Sequence, residues 1–285
     1  MITNLLIKKN IFINSQIHHK NHIIIFNKSK ILLYIYIHIM GFKSAILSLK
    51  NHIPNTLTCC NLLSGCVAIT MATQYRYTEA LIFIIIGSIF DFFDGMMARL
   101  LNAHSPLGKD LDSLADDITF GAAPGFLVYF LLKEFNYPAY FGNVAGLVPY
   151  VAFLISAFSA LRLAKFNIDT RQTCSFIGMP TPANALFWGS FIVGQHDKLV
   201  TKNFNFFGFV SLIGLIMITS WLLICEIPMF SLKFKNLSWG ENKLRFFFLA
   251  ASTVLVVLMG LRSFAPIISM YVLLAIIVPL LQRKK

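Results

Sequence analysis

Between Asp91 and Asp117 the chain carries six aspartates, Asp91, Asp94, Asp110, Asp112, Asp116 and Asp117, which are half of its 12 acidic residues. On a helix Asp91, Asp94, Gly95 and Ala98 fall at i, i+3, i+4 and i+7 and share a face about 100° wide. Gly108, Asp112 and Asp116 are spaced by four and lie within an arc of about 80°, whereas Asp110 and Asp117 point roughly 140° to 160° away from Asp112. Four acids therefore converge between two helices, and two face water or another partner. Oxygen donors with no His or Cys in the set favour Mg²⁺ or Mn²⁺ over zinc. Two such ions clamp a pyrophosphate, and the chemistry that suits the arrangement is in-line phosphoryl transfer. Gly95 and Ala98 remove bulk beside the carboxylates so that a ligand can press against the backbone. Arg99 offers a planar fork to an anionic phosphate. The plainer alternative, a packed helix pair whose acids are neutralised by salt bridges, needs more cations than Arg99 and Lys109 supply.

The elements that position these acids are membrane helices. Of 285 residues 57% are hydrophobic and 13% charged, and the mean hydropathy is +0.71, too apolar and too poor in charge for a soluble domain. Carboxylates at membrane depth face a bundle interior or a wet cavity and bind something cationic. At about 20 residues per crossing, apolar runs predict eight spans near residues 57–77, 79–101, 108–132, 143–164, 182–199, 205–226, 245–262 and 264–282. The expected fold class is all-α, a polytopic membrane helix bundle. The fifth run is the weakest, being short and holding Asn184 and Ser190.

Lys and Arg are concentrated in alternate connections, with Arg99 and Lys109, then Arg162, Lys165 and Arg171, on one side. By the positive-inside rule both termini and the aspartate stretch face the cytoplasm. The net charge of +12 fits anionic lipid better than nucleic acid, because no basic patch of the kind that grips a phosphate backbone is present. The five cysteines form no CxxC pair and read as small packing residues.

Residues 1–39 contain no acid, Arg, Gly or Pro and suit neither a secretory signal nor a mitochondrial presequence. The expectation is a non-native or disordered leader, with Met40 as the true start. In residues 40–55, Phe42, Ala45, Ile46, Leu49 and Ile53 share a helical face with Lys43, Lys50 and Asn51 elsewhere, an interfacial amphipathic helix. Residues 56–226 are expected to form a catalytic core, and residues 227–285 a surface loop followed by two further spans.

Asp91, Asp94, Gly95, Ala98, Arg99, an eight-residue gap, then Gly108, Asp112 and Asp116 resemble the D-x-x-D-G-x-x-A-R…G-x-x-x-D-x-x-x-D signature of the CDP-alcohol phosphatidyltransferase family, with no departure at eight specified positions. The resemblance implies six core transmembrane helices, a two-metal site on the second and third, and a homodimer. It also implies transfer of a phosphatidyl group from CDP-diacylglycerol, or a related CDP-linked donor, to an alcohol with release of CMP. Carried over residue by residue, Asp91, Asp94, Asp112 and Asp116 correspond to the ligands of two Mg²⁺ or Mn²⁺ ions, and Asp116 is also the candidate general base. Gly95, Ala98, Arg99, Ser105 and Gly108 match the donor-binding part. "PNTLT", Pro54 to Thr58, resembles the family's donor entry and adds Asn55 and Thr58. Pro-Asn before a span is equally an ordinary helix start, with Thr56 or Thr58 as cap.

The acceptor is decided elsewhere. "DSLADDITFGAAPG", "LRLAKFNID" and "FIGMPTPANA" resemble the family branch that uses L-serine. Serine brings a carboxylate, so its site needs a cation near the metals, and Arg162, Lys165 and Arg171 can supply it, although they also read as positive-inside charges. The alternatives are another alcohol such as glycerol 3-phosphate or, from a different class, a divalent-cation transporter. The expected setting is a multi-pass protein among membrane lipids, in a bacterial inner membrane.

Overall fold

The computed structural model describes residues 40, 50, 52–103, 105–169, 176–229 and 239–282. The described residues from 53 onward belong to one compact unit. The leader expected at 1–39, most of the interfacial helix expected at 40–55, the loop residues 230–238 and Arg171 lie outside the described residues.

Eight long helices are described: α1 (His52–Thr73), α2 (Tyr77–Leu100), α3 (Pro106–Lys133), α4 (Val148–Ile168), α5 (Thr181–Leu199), α6 (Phe206–Ile224), α7 (Trp239–Met259) and α8 (Phe264–Gln282). Each matches one expected run. The fourth starts later than 143 because a 3-10 stretch, Ala139–Gly146, comes first and breaks at Gly142, whose φ is +48°. Two strands of two residues each, Phe176–Ile177 and Pro228–Met229, pair antiparallel.

Among the described residues six stretches are long and apolar enough to cross a bilayer; α7 and α8 together make one of them, Asn242–Ile277, and α5 is not among them. The reason is visible in the packing of α5, which touches α2, α3 and α8 and buries Asn184, Trp188, Ser190 and Ile192. A helix surrounded by protein does not need an apolar exterior. Its polar groups find work inside the bundle. Trp188 Nε1 donates to Thr219 Oγ1 at 3.2 Å, and Ser190 Oγ accepts from Ala265 N at 3.0 Å, capping the start of α8.

Helix α1 shows why the site end folds as it does. Its buried stripe is Pro54, Thr58, Asn61, Gly65, Ala68 and Ala72, polar or small at heptad spacing, while Leu63 is 63% exposed. Lipid is as apolar as Leu, so helices meet through small residues that let backbones approach. A Cβ on Gly65 would come within 2.8 Å of Thr119 Cα, and one on Gly87 within 2.6 Å of Thr119 Cγ2. Gly65 and Gly87 thereby draw α1 and α2 onto α3 at Thr119, where α3 passes through a π-helical turn, Asp117–Ala122.

At the aspartate end Lys109 Nζ donates to Asn167 O at 3.3 Å and Asn167 Nδ2 to Ser113 Oγ at 2.8 Å, tying the start of α3 to the end of α4. The opposite end is closed by a second network. Tyr77 OH donates to Glu134 Oε1 at 2.5 Å, and His196 Nε2 lies 3.1 Å from Glu134 Oε2. Tyr77 precedes Asp91 by a helical rise of about 21 Å, so this clasp is remote from the acids. Tyr77→Phe is expected to cost about 1 kcal/mol, read as a lower thermal unfolding midpoint in detergent.

Candidate active site

Asp91 lies near the end of α2, and Asp112 and Asp116 lie one turn apart near the start of α3. One carboxylate oxygen from each sits within 4.8 Å of the other two. Three carboxylates this close in a low-dielectric interior repel strongly unless a cation joins them. Asp112 Oδ1 is buried with no hydrogen-bond partner, an orphaned acceptor of the kind that a bound ion satisfies. All-oxygen donors at this spacing fit Mg²⁺ or Mn²⁺.

The fourth acid stands beside the cluster. Asp94 is 5% exposed, and its Oδ2 accepts from Thr58 Oγ1 at 2.7 Å. Thr58 Oγ1 also lies 3.0 Å from Pro54 O. Since Pro54 already belongs to α1, Thr58 holds a carboxylate and is not a helix cap. Asp110 is exposed, whereas Asp117 is not. Its Oδ1 is buried without a partner and lies over Gly121 beside Ser159 of α4, since a Cβ on Gly121 would meet that oxygen at 2.8 Å and Ser159 Cβ at 3.1 Å. Of the two surroundings expected for Asp117, water or another partner, it has the second, the face of α4.

One participant was missing from the sequence-based set. Asn61, fully buried on α1, donates through Nδ2 to Asp116 Oδ1 at 3.1 Å. A signal for it exists in the chain: Thr58, Asn61 and Ser64 recur at intervals of three within an apolar run, and polar residues in a span face the bundle interior.

A cavity of about 600 Å³ opens against Asp94 and Asp112, and all seven residues expected at the nucleotide-linked donor, Asn55, Thr58, Gly95, Ala98, Arg99, Ser105 and Gly108, line it. Its size suits a nucleotide-sized ligand. At Gly95 a Cβ would meet nothing nearer than Arg99 Nη2 at 3.8 Å, so this stretch of α2 presents bare backbone to open space. Gly108 is tight instead: a Cβ there would lie 3.0 Å from Ser105 Oγ and 3.1 Å from Asn55 Oδ1. Ser105 Oγ accepts from Gly108 N at 3.0 Å and caps α3, and Arg99 Nε donates to Gly95 O at 2.9 Å. Both side chains shape the cavity wall.

Arg162 of α4 is 7% exposed, and its Nε has no hydrogen-bond partner. The guanidinium sits over the Phe166 ring, 5.6 Å from the centroid. Lys165 Nζ donates to Ile224 O at 3.5 Å. Both basic residues line a separate small cleft of about 20 Å³ with Cys225 and Glu226, not the large cavity. Burial pushes the Cys225 thiol up, which keeps it protonated and unsuited to nucleophilic chemistry.

The acids, the cavity and the Arg162 cleft all fall within residues 51–280, which match the family model for CDP-alcohol phosphatidyltransferase. The chain belongs to this family. It is similar to the CDP-diacylglycerol--serine O-phosphatidyltransferase of Bacillus subtilis (strain 168), with 41% identity over 132 residues, 46% of this chain and 70% of the relative. The enzyme of the same name from Helicobacter pylori (strain J99) is 35% identical over 178 residues, 59% of this chain and 69% of the relative. Archaetidylserine synthase of Methanothermobacter thermautotrophicus is 32% identical over 151 residues, 52% of this chain and 60% of the relative. As a CDP-alcohol phosphatidyltransferase, the chain has its eight signature positions on two neighbouring helices, α2 and α3, with α1 packed across both.

Proposed function

We infer that this protein transfers a phosphatidyl group from CDP-diacylglycerol to L-serine, giving phosphatidylserine and CMP. The observation that carries the reading is the cavity whose wall includes Asp94 and Asp112 and whose neighbour is the Asp91–Asp112–Asp116 cluster. Relatives named for serine as acceptor support the choice of alcohol.

Asp91, Asp94, Asp112 and Asp116 would hold two divalent ions, Mg²⁺ or Mn²⁺, which when bound supply positive charge to the pyrophosphate and the departing CMP. The chain's own residues do the rest. The bare backbone at Gly95 and Ala98 admits the nucleotide and pyrophosphate, Arg99 faces the phosphates, and Asn55, Ser105 and Gly108 close the wall, while the acyl chains stay in lipid. Asp116 takes the proton of the serine hydroxyl as that oxygen bonds to the lipid-side phosphorus and the bond from phosphorus to the CMP oxygen breaks. Arg162, buried on α4, holds the serine carboxylate, with Lys165 adding positive charge in the same cleft and Arg171, outside the described residues, a third candidate from the sequence. The reading places the site at the cytoplasmic face of a bacterial inner membrane, supported by the basic residues gathered at that end, and includes the homodimer that family membership suggests.

Purified protein given CDP-diacylglycerol and one alcohol at a time should release CMP with serine and not with glycerol 3-phosphate. The opposite preference would overturn the acceptor assignment, and metal-dependent cation uptake into liposomes without CMP formation would overturn the enzyme. Arg162→Ala should raise KM for serine about 10- to 100-fold, the range of a lost charge-assisted hydrogen bond, with KM for the lipid donor nearly unchanged. Equal effects on both would remove Arg162 from the acceptor site.

A further inference from the structure

We propose that Asn61 is a positioning residue for Asp116, an uncharged donor that fixes which carboxylate oxygen faces the cation cluster. This rests on the reading of the acids as cation ligands given above.

Asn61 is 0% exposed, and packing alone does not call for an amide there. Its Oδ1 is buried with no hydrogen-bond partner, a cost of roughly 1–3 kcal/mol that an apolar residue of the same size would avoid. What the amide gains is the Nδ2 contact to Asp116 Oδ1 at 3.1 Å. The opposite amide orientation would set Asn61 Oδ1 against a carboxylate oxygen, acceptor against acceptor, so the observed orientation is the one the acid dictates. With one oxygen of Asp116 held in this way, the other is directed by default.

Two further contacts keep the amide in place. Thr119 Oγ1 donates to Asn61 O at 2.9 Å, joining α1 to α3 three residues beyond Asp116. On the other side, a Cβ on Gly87 would come within 3.0 Å of Asn61 Oδ1, so the glycine of α2 makes the room that the amide fills. Asn61 thus touches both helices that supply the acids. Its neutrality matters as well: a Lys or Arg here would orient Asp116 equally well but would cancel the negative charge that attracts the cations.

The test measures Mn²⁺ binding to the detergent-purified full chain by loss of the free-ion electron paramagnetic resonance signal, alongside serine-dependent CMP release. Asn61→Leu keeps the volume without the donor and should weaken Mn²⁺ binding 10- to 100-fold, the usual effect of removing a group that orients a metal ligand. Asn61→Ala leaves space for a water to donate to Asp116 and should fall between wild type and Asn61→Leu. A packing role predicts the reverse order, with Ala worse than Leu, and that order would overturn the proposal, as would wild-type Mn²⁺ binding in both variants. If Asn61→Leu does not yield folded protein, Asn61→Ala decides alone: Mn²⁺ binding weakened by about threefold or more supports the role, and a smaller change refutes it. A wild-type protein that binds Mn²⁺ but makes no CMP would defeat the proposed reaction and leave the Asn61 comparison intact.

Discussion

Asp116→Asn should reduce serine-dependent CMP release by about 10³-fold, within the 10²- to 10⁴-fold range expected for loss of a general base, equivalent to roughly 4 kcal/mol of barrier. The substitution is nearly isosteric, and a carbonyl oxygen can still accept the Asn61 N–H, so the contact between α1 and α3 survives. What disappears is the charge beside Asp91 and Asp112 and the capacity to take up a proton. Normal detergent-solubilised elution and thermal unfolding should accompany the loss. The two assigned jobs separate by titration. If the rate recovers fully at saturating Mn²⁺, Asp116 serves only as a ligand; if Mn²⁺ binding saturates while the rate stays low, the missing step is proton transfer. Asp110→Asn is the matched control, because Asp110 is exposed on the same helix and should change the rate less than about twofold, as surface substitutions away from a site usually do. An Asp116→Asn protein of wild-type rate would remove both roles.

The convergence of Asp91, Asp112 and Asp116 was readable from spacing because α2 and the first part of α3 are regular helices, where 3.6 residues per turn fixes direction. The same rule turned Asp117 away from Asp112 toward water or another partner, but spacing alone could not name that partner as the Ser159 face of α4. The helical runs were legible from hydropathy, but the environment of α5 was not. Hydropathy reports what a helix would prefer outside it, and α5 is enclosed by protein, so Asn184 and Ser190, read as weaknesses of a span, are buried groups of the bundle interior. Asn61 escaped because attention to charge passes over a neutral amide, although its place on the Thr58–Asn61–Ser64 stripe was visible. Ser105 shows the converse. The resemblance assigned it to the donor, and the structure gives it a local duty as cap of α3 while leaving it on the cavity wall. Sequence also could not show that Arg162 and Lys165 share a cleft distinct from the donor cavity, because that depends on the packing of α4 against α6.

Removal of divalent ions should abolish CMP release altogether, and either Mg²⁺ or Mn²⁺ added in excess of chelator should restore it. The physical basis is the crowding of Asp91, Asp112 and Asp116 within 4.8 Å together with the unpartnered oxygen on Asp112. No basic side chain neutralises this cluster at salt-bridge distance among the described residues. Zn²⁺ should restore far less, since the set lacks the nitrogen and sulfur donors it prefers. The helices themselves should survive chelation, because their backbone hydrogen bonds are internal and α1, α2 and α3 are locked at Thr119. Metal should nevertheless stabilise the fold by mass action, by about 2.7 kcal/mol at a hundred times its dissociation constant, and raise the unfolding midpoint in detergent. In Asp112→Asn the midpoint shift should shrink together with the activity, since one residue carries the orphaned oxygen and joins the cluster to the cavity. Full activity in chelator, with no Mn²⁺-dependent shift in wild type, would mean that the three aspartates are held apart from catalysis by contacts of another kind.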